Sequence, residues 1–361
     1  MKYQILKTTK IFSVIRQTLI ISLITFGLTE ITFRLYHKIN PSFMFYDTSY
    51  NRWRGKPHAE DYDFKLNSQG FKDIEYRQNK EKSTYRIIGL GDSFTFGVVP
   101  YKYNYLTLIE AKLNQDKNQK FELINMGISG IGPKDYLALL VNEGLALNPD
   151  MVLLSFYIGN DFLDNRISEK NRRILKENDS YVISFFRSLI EIHSKYQGNI
   201  YHENPEYKDD LPTFSDDVYL QMLKEKSYIF IERPAEPEYF QKLFNDVLAD
   251  LLKIKEICDY KNIKLVVVLI PDELQIDSKL QAKVAHNFPV SLDIFDFALP
   301  NKLLSQEFEK YNINYIDVLD EFEAATREKR LYKPNNTHWN ISGNQLAAEV
   351  IENYLQGEFF K

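Results

Sequence analysis

A single cysteine, Cys258, stands in 361 residues, so no internal disulfide can form. It ends an apolar stripe at helical spacing and reads as a core residue; cysteine usage leaves the compartment open. Positive charge is not in excess either. The 45 Lys and Arg against 50 Asp and Glu give a formal net charge of -5 with no sustained basic face, which excludes a nucleic-acid partner. No His, Asp or Glu pair stands at ligand spacing on a helix, so no metal site is expected and no cofactor is implied. Internal repeats and low-complexity runs are absent as well. With 44% hydrophobic residues the chain has material for one large α/β domain and additions to it.

The amino terminus carries the one long apolar run. Lys2, Lys7, Lys10 and Arg16 precede an uncharged stretch from Gln17 to Thr29, and Glu30 and Arg34 interrupt its continuation to Tyr36. From Ile11 to Tyr36 the run is long enough to cross a bilayer if Arg16 and Arg34 reach towards the two interfaces. The positive flank predicts a cytoplasmic amino end and an exported remainder. No small-x-small cleavage site follows and no cysteine offers a lipid attachment point, so a retained anchor over 1–36 is expected. Residues 37–80, with turn signals at Asn40-Pro41, Gly55-Lys56-Pro57 and Ser68-Gln69-Gly70, read as a linker packing on the next domain.

Beyond residue 80 the pattern alternates. Tyr85–Leu90 is a short apolar run ending in the small-residue turn Gly91-Asp92-Ser93, which opens a helix. Asn104 is a candidate cap for a helix carrying Tyr105, Leu108, Ile109 and Leu113. Phe121–Met126, Met151–Tyr157, Ile263–Ile270 and Ile313–Ile316 read as further strands. Lys134–Leu147, Glu238 onward (Phe240, Phe244, Val247, Leu251, Ile254, Cys258), Lys302–Tyr311 and Ile341–Leu355 read as helices. Strand and helix in alternation predict a doubly wound parallel sheet with helices on both faces. Residues 165–237 break the rhythm with charged clusters and one aromatic helix at Tyr181–Ile192. A segment this long between core elements reads as a helical insertion or lid.

Four short blocks occur in order: Gly91-Asp92-Ser93, Asn125-Met126-Gly127-Ile128-Ser129-Gly130, Gly159-Asn160-Asp161 and Thr337-His338-Trp339-Asn340. Together they resemble the sequence blocks of the SGNH (GDSL) hydrolases, in their membrane-anchored bacterial form. The resemblance covers Tyr85 to Asp164 and then the carboxyl-terminal portion. It implies a flavodoxin-like sheet of five strands over residues 81–361, with Ser93 as nucleophile and His338 as general base. The oxyanion donors it implies are the backbone N–H groups of Ser93 and Gly130 and the side-chain amide of Asn160. Asp92 and Asp161 read as turn-tying residues, and His37, His58, His193, His202 and His286 lie outside every block.

One departure matters. Where these hydrolases carry an aspartate two or three residues before the histidine, this chain has Asn336 and Asn335. In a serine protease triad the same exchange costs about ten-thousandfold, largely through the wrong imidazole tautomer. The alternatives are a Ser-His pair oriented by Asn336 or a backbone carbonyl, an acid supplied by Asp272 or Asp317, or a weakened enzyme.

The leading expectation is an esterase acting on short acyl groups of an extracytoplasmic glycan or lipid. The second is an O-acyltransferase, suggested by the resemblance of Ile270-Pro271-Asp272-Glu273 to periplasmic relatives of alginate O-acetyltransferases; polysaccharide-assembly proteins are the partners it implies. The third is a module that binds an acylated ligand without turning it over.

Overall fold

The computed structural model describes residues 2–39, 54–55, 57–115, 119–164, 180–192, 198–199, 206–231, 237–287 and 291–360. The charged cluster at Glu169–Arg173 and His193 and His202 lie outside the described residues. By internal contacts the chain divides into two units, Met1–Tyr50 with Arg172–Lys195, and Asn51–Asn171 with Tyr196–Lys361.

The first unit is built on α1 (Lys2–Ile39), whose stretch Ile11–Ile39 is long and apolar enough to cross a membrane. Glu30 interrupts that stretch, and the structure gives it a local task. Its carboxylate accepts from Ser180 Oγ at 2.9 Å and from the N–H groups of Tyr181 at 3.0 Å and Val182 at 2.9 Å. It thereby satisfies amide groups left open at the start of the helix Tyr181–Ile192. Arg34 binds Glu30 at 2.9 Å and lies 4.7 Å over the Tyr181 ring, so the two charges in the apolar run serve each other.

The second unit is organised by five parallel strands: β1 (Thr84–Leu90), β2 (Lys120–Asn125), β3 (Met151–Tyr157), β4 (Lys264–Ile270) and β5 (Asn314–Asp317). Their order is β2-β1-β3-β4-β5, with every pairing parallel. All seven residues of β3 are buried, as a central strand covered on both faces requires. Period-two alternation divides the sheet. Ile87, Leu123, Leu153, Val266 and Val268 face a core cluster shared with Leu106, Ile109 and Leu113 of α2 (Tyr105–Leu113) and with Ala347, Ile351 and Leu355 of α8 (Ile341–Phe359). The other face packs under α3 (Pro133–Asn142) and α6 (Pro237–Lys261), whose stripe Val247, Leu251, Ile254 and Cys258 is fully buried. Asn104 caps α2, accepting from Leu106 N at 2.8 Å.

The helix expected over Lys134–Leu147 stops at Asn142. There the chain tightens into a 3-10 turn, Gly144–Leu147, that passes close to β1: a Cβ on Gly144 would stand 2.9 Å from Ile88 Cδ1. In this strand order the chain changes direction between β1 and β3, the crevice where open α/β sheets place ligands.

Candidate active site

Ser93 follows the end of β1, and the first turn after it is wound by Asp92. The fully buried Asp92 carboxylate accepts from Phe94 N at 2.8 Å, and Gly97 N donates to Ser93 O at 2.9 Å. Across the switch point, Asn160 follows the end of β3. Asp161 ties that turn, accepting from Tyr157 N and from Tyr136 Oη at 3.0 Å each. The second block braces the first through backbone. A Cβ on Gly127 would stand 2.1 Å from Phe96 N, and Asn125 Nδ2 donates to Thr95 O at 2.8 Å.

His338 reaches this edge from the loop before α8. Its neighbour Trp339 is buried between the rings of Phe94 (5.1 Å), Tyr105 (5.8 Å) and Phe322 (5.0 Å). Asn340 then caps α8 by accepting from Gly343 N at 2.9 Å, and the His338 ring lies 5.0 Å from that of Phe94. An aromatic anchor on one side and a helix start beyond it leave the imidazole little freedom.

His338 Nε2 and Ser93 Oγ are 2.6 Å apart. On the far side of the ring, Nδ1 lies 2.7 Å from Asn336 Oδ1. The tautomer follows from a third contact. The backbone N–H of His338 donates to the same Asn336 Oδ1 at 3.0 Å, which identifies that atom as the amide oxygen. Nδ1 must therefore carry the hydrogen, and Nε2 presents its lone pair to the serine. Asn336 Nδ2 donates in turn to Thr213 Oγ1 at 2.7 Å, which holds the amide in this orientation. The asparagine thus supplies the orienting acceptor that an aspartate would supply, without its charge. Asp272 and Asp317 are engaged elsewhere. Asp272 accepts from Leu274 N at 2.8 Å and from the Tyr157 hydroxyl, and Asp317 from Asn301 Nδ2 at 2.9 Å and Leu319 N at 3.1 Å.

Without a carboxylate beside it, the half-buried His338 ring is pushed down to about 3 by burial, with Lys226 and Lys333 adding to the effect. A neutral imidazole is the resting form at any pH near neutrality. Burial acts oppositely on the carboxylates at this edge. It raises Asp92 to about 6 and Asp164 to about 7, and Asp161 rises well above the carboxylate range.

The oxyanion candidates are less uniform. Gly130 has φ of 73°, which favours glycine, and no atom lies within 4 Å of where its Cβ would stand, so that side of the residue is open. Asn160 instead donates its amide to Asp164 Oδ2 at 2.8 Å and also hydrogen-bonds Asp92, while its buried Oδ1 has no partner. A hydrogen for a substrate oxygen is thus released only as one of those carboxylates lets go. Asp164 stands at i+4 from Asn160 in a helical turn, a spacing visible in the sequence. Thr213 and Lys226 carried no such signal. Among the described residues no group of His, Cys, Asp or Glu is placed to hold a metal ion.

Chemically, the arrangement offers a hydroxyl whose proton has a lone pair waiting 2.6 Å away and an imidazole fixed in the tautomer that can take it. Among solved structures, the chain is similar to a lipase/acylhydrolase from Enterococcus faecalis, at 16% identity over 76% of this chain and 96% of that one, with a TM-score of 0.40. It is similar too to an acetyl xylan esterase (17% identity, 75% and 99% covered, TM-score 0.40). A GDSL-like lipase from Bacteroides thetaiotaomicron is similar as well (12% identity, 78% and 92% covered, TM-score 0.38). No family model matches the chain, and no curated protein matches it.

Proposed function

We propose that the protein is a serine esterase of the SGNH type that removes short, O-acetyl-like acyl groups from an extracytoplasmic glycan or lipid. The observation that carries this reading is the 2.6 Å contact of Ser93 Oγ with His338 Nε2, together with Nδ1 held on Asn336 Oδ1. Ser93 Oγ attacks the ester carbonyl and gives its proton to Nε2. The carbonyl oxygen becomes the oxyanion, facing the N–H groups of Ser93 and Gly130 and the amide of Asn160. The tetrahedral adduct collapses as the ester C–O bond breaks, and the leaving alkoxide takes the proton from Nε2. Water then repeats the sequence on the acyl-serine and frees the carboxylic acid. Asn336 keeps the ring turned but lends no charge to the imidazolium, so each proton transfer rests on orientation and on the oxyanion donors. The helix at Ile11–Ile39 anchors the chain, and the charges preceding it orient the catalytic unit outside the cytoplasm.

A fluorophosphonate probe should label Ser93, and 4-nitrophenyl acetate should release acetate without any added acceptor. Turnover that depends on an oligosaccharide acceptor, with the acyl group recovered on it, replaces hydrolysis by transfer. An unlabelled serine leaves a binding module.

A further inference from the structure

Lys226 ends α5 (Asp216–Lys226), within the irregular segment that also supplies Thr213. It is half-buried, and its Nζ lies 5.4 Å from the centroid of the Tyr157 ring. That ring packs 4.3 Å from Phe94, the ring that also lies against His338. Among the described residues Lys226 has no carboxylate within ion-pair distance, whereas exposed lysines such as Lys283, with Asp216 at 2.7 Å, and Lys302, with Asp296 at 2.7 Å, do.

The carboxylates whose charge it feels, Asp92 and Asp164, have other partners. Asp92 receives Phe94 N, and Asp164 receives Asn160 Nδ2. Both also hold their protons closer to neutrality than free carboxylates do. The second cation facing His338 is already committed. Lys333 Nζ donates to Lys208 O at 2.8 Å and lies 4.3 Å over the Tyr207 ring, with Asp209 and Asp210 near it. A partly desolvated ammonium left without a counter-ion beside a reaction centre is costly unless the ligand brings the anion.

We propose that Lys226 is a specificity residue that binds an anionic group on the acyl carrier, so that the substrate is an O-acylated acidic glycan bearing a carboxylate or a phosphodiester near the ester. This rests on the esterase reading and narrows it. A lysine at a helix carboxyl end is also favoured by the helix dipole. That role, however, gives it no preference between charged and neutral substrates, which is the difference to measure.

The full-length protein in detergent would be assayed by acetate release on three probes: O-acetylated oligogalacturonide, O-acetylated xylo-oligosaccharide and an O-acetylated glycerol-phosphate oligomer. 4-Nitrophenyl acetate serves as the control for the reaction centre. The wild type should favour an anionic probe over the neutral one in kcat/KM, with the difference lying mainly in KM. Lys226→Gln should lower that ratio about tenfold, Lys226→Glu should invert it, and Lys226→Arg should keep it. Whichever anionic probe responds identifies the source of the charge. In the wild type, raising the salt should erode the preference, a measurement that holds even if a variant fails to fold. A ratio unchanged by the variants, or a wild type indifferent to both substrate charge and salt, overturns the proposal. If 4-nitrophenyl acetate is not cleaved at all, it is the esterase reading that falls.

Discussion

The two ends of the central sheet treat charge in opposite ways. At the amino-terminal end, the fully buried Arg86 on β1 gives Nε to Glu122 at 2.7 Å, one amino group to Gln78 O at 3.0 Å and Leu147 O at 2.6 Å, and the other to Arg77 O at 2.8 Å. Asp150 beside it receives Lys80 at 2.6 Å and Arg86 N at 2.8 Å. Each of these charged groups faces a strong partner. At the carboxyl end lie Asp73, Asp92, Asp161, Asp164 and Glu273, all held above the usual carboxylate range, with an amide oxygen on Asn160 and an ammonium on Lys226 that lack, among the described residues, a hydrogen-bond and an ion-pair partner respectively. The same strands therefore carry a sealed end and a strained one, and reactivity gathers where charge is left unsatisfied.

The sharpest break between the ends is expected from Ser93→Ala. Ester hydrolysis should fall by about ten-thousandfold or more while the thermal midpoint barely moves. Arg86→Met should do the reverse. It strands Glu122 and three backbone carbonyls, costing about 3 kcal/mol in urea titration, yet kcat of the folded fraction should stay within about twofold.

Asn336 sharpens the contrast further. Asn336→Ala frees the ring and should lower kcat by about a hundredfold. Asn336→Asp places an anion beside Nδ1, which raises the affinity of the imidazole for its proton. The acid limb of the kcat/KM profile should therefore move upward by about one pH unit or more. A limb already near the ordinary histidine value in the wild type would contradict the lowered His338.

A smaller effect separates the ends by pH. Asp73 at about 7, Asp164 at about 7 and Glu273 at about 8 take up protons in the folded chain before the unfolded chain does. Stability should consequently rise as pH falls from 8 to 6.5. Below 6.5 His338 works against it, since only the unfolded chain readily protonates that ring. The carboxylates outnumber it, so calorimetry at pH 8, 6.5 and 5 should find stability rising across both intervals, with His338 offsetting part of the second gain. The mildest change is Thr213→Val, which removes the hydroxyl anchoring the Asn336 amide and should lower kcat several-fold, by about 1 kcal/mol of barrier.

What could be read in the chain followed burial. β3 was expected at Met151–Tyr157 and is found there, because a strand covered on both faces writes a continuous apolar run with sharp ends. β5, expected at Ile313–Ile316, runs from Asn314 to Asp317, its alternating pattern weakened at the sheet's edge. The helix Ser278–Asn287 was not expected. Val284 is its one fully buried residue, so it has no stripe to display. Within the site, Ser93, Asn336 and His338 stood in short blocks flanking regular elements and could be singled out. That Asn336 accepts two hydrogen bonds on one oxygen could not be read, since it depends on how the loop folds over itself. Nor could Thr213 and Lys226, which a segment without periodicity brings to the site from more than a hundred residues away in either direction.

The contact between Gly127 and Phe96 N has a consequence for anyone rebuilding this centre on another scaffold. The turn that begins at Ser93 and the loop that follows β2 share one van der Waals boundary, so neither can be transplanted alone. A methyl group added to the second would shift the first and carry the hydroxyl away from its imidazole. The two pieces must be borrowed as a matched set.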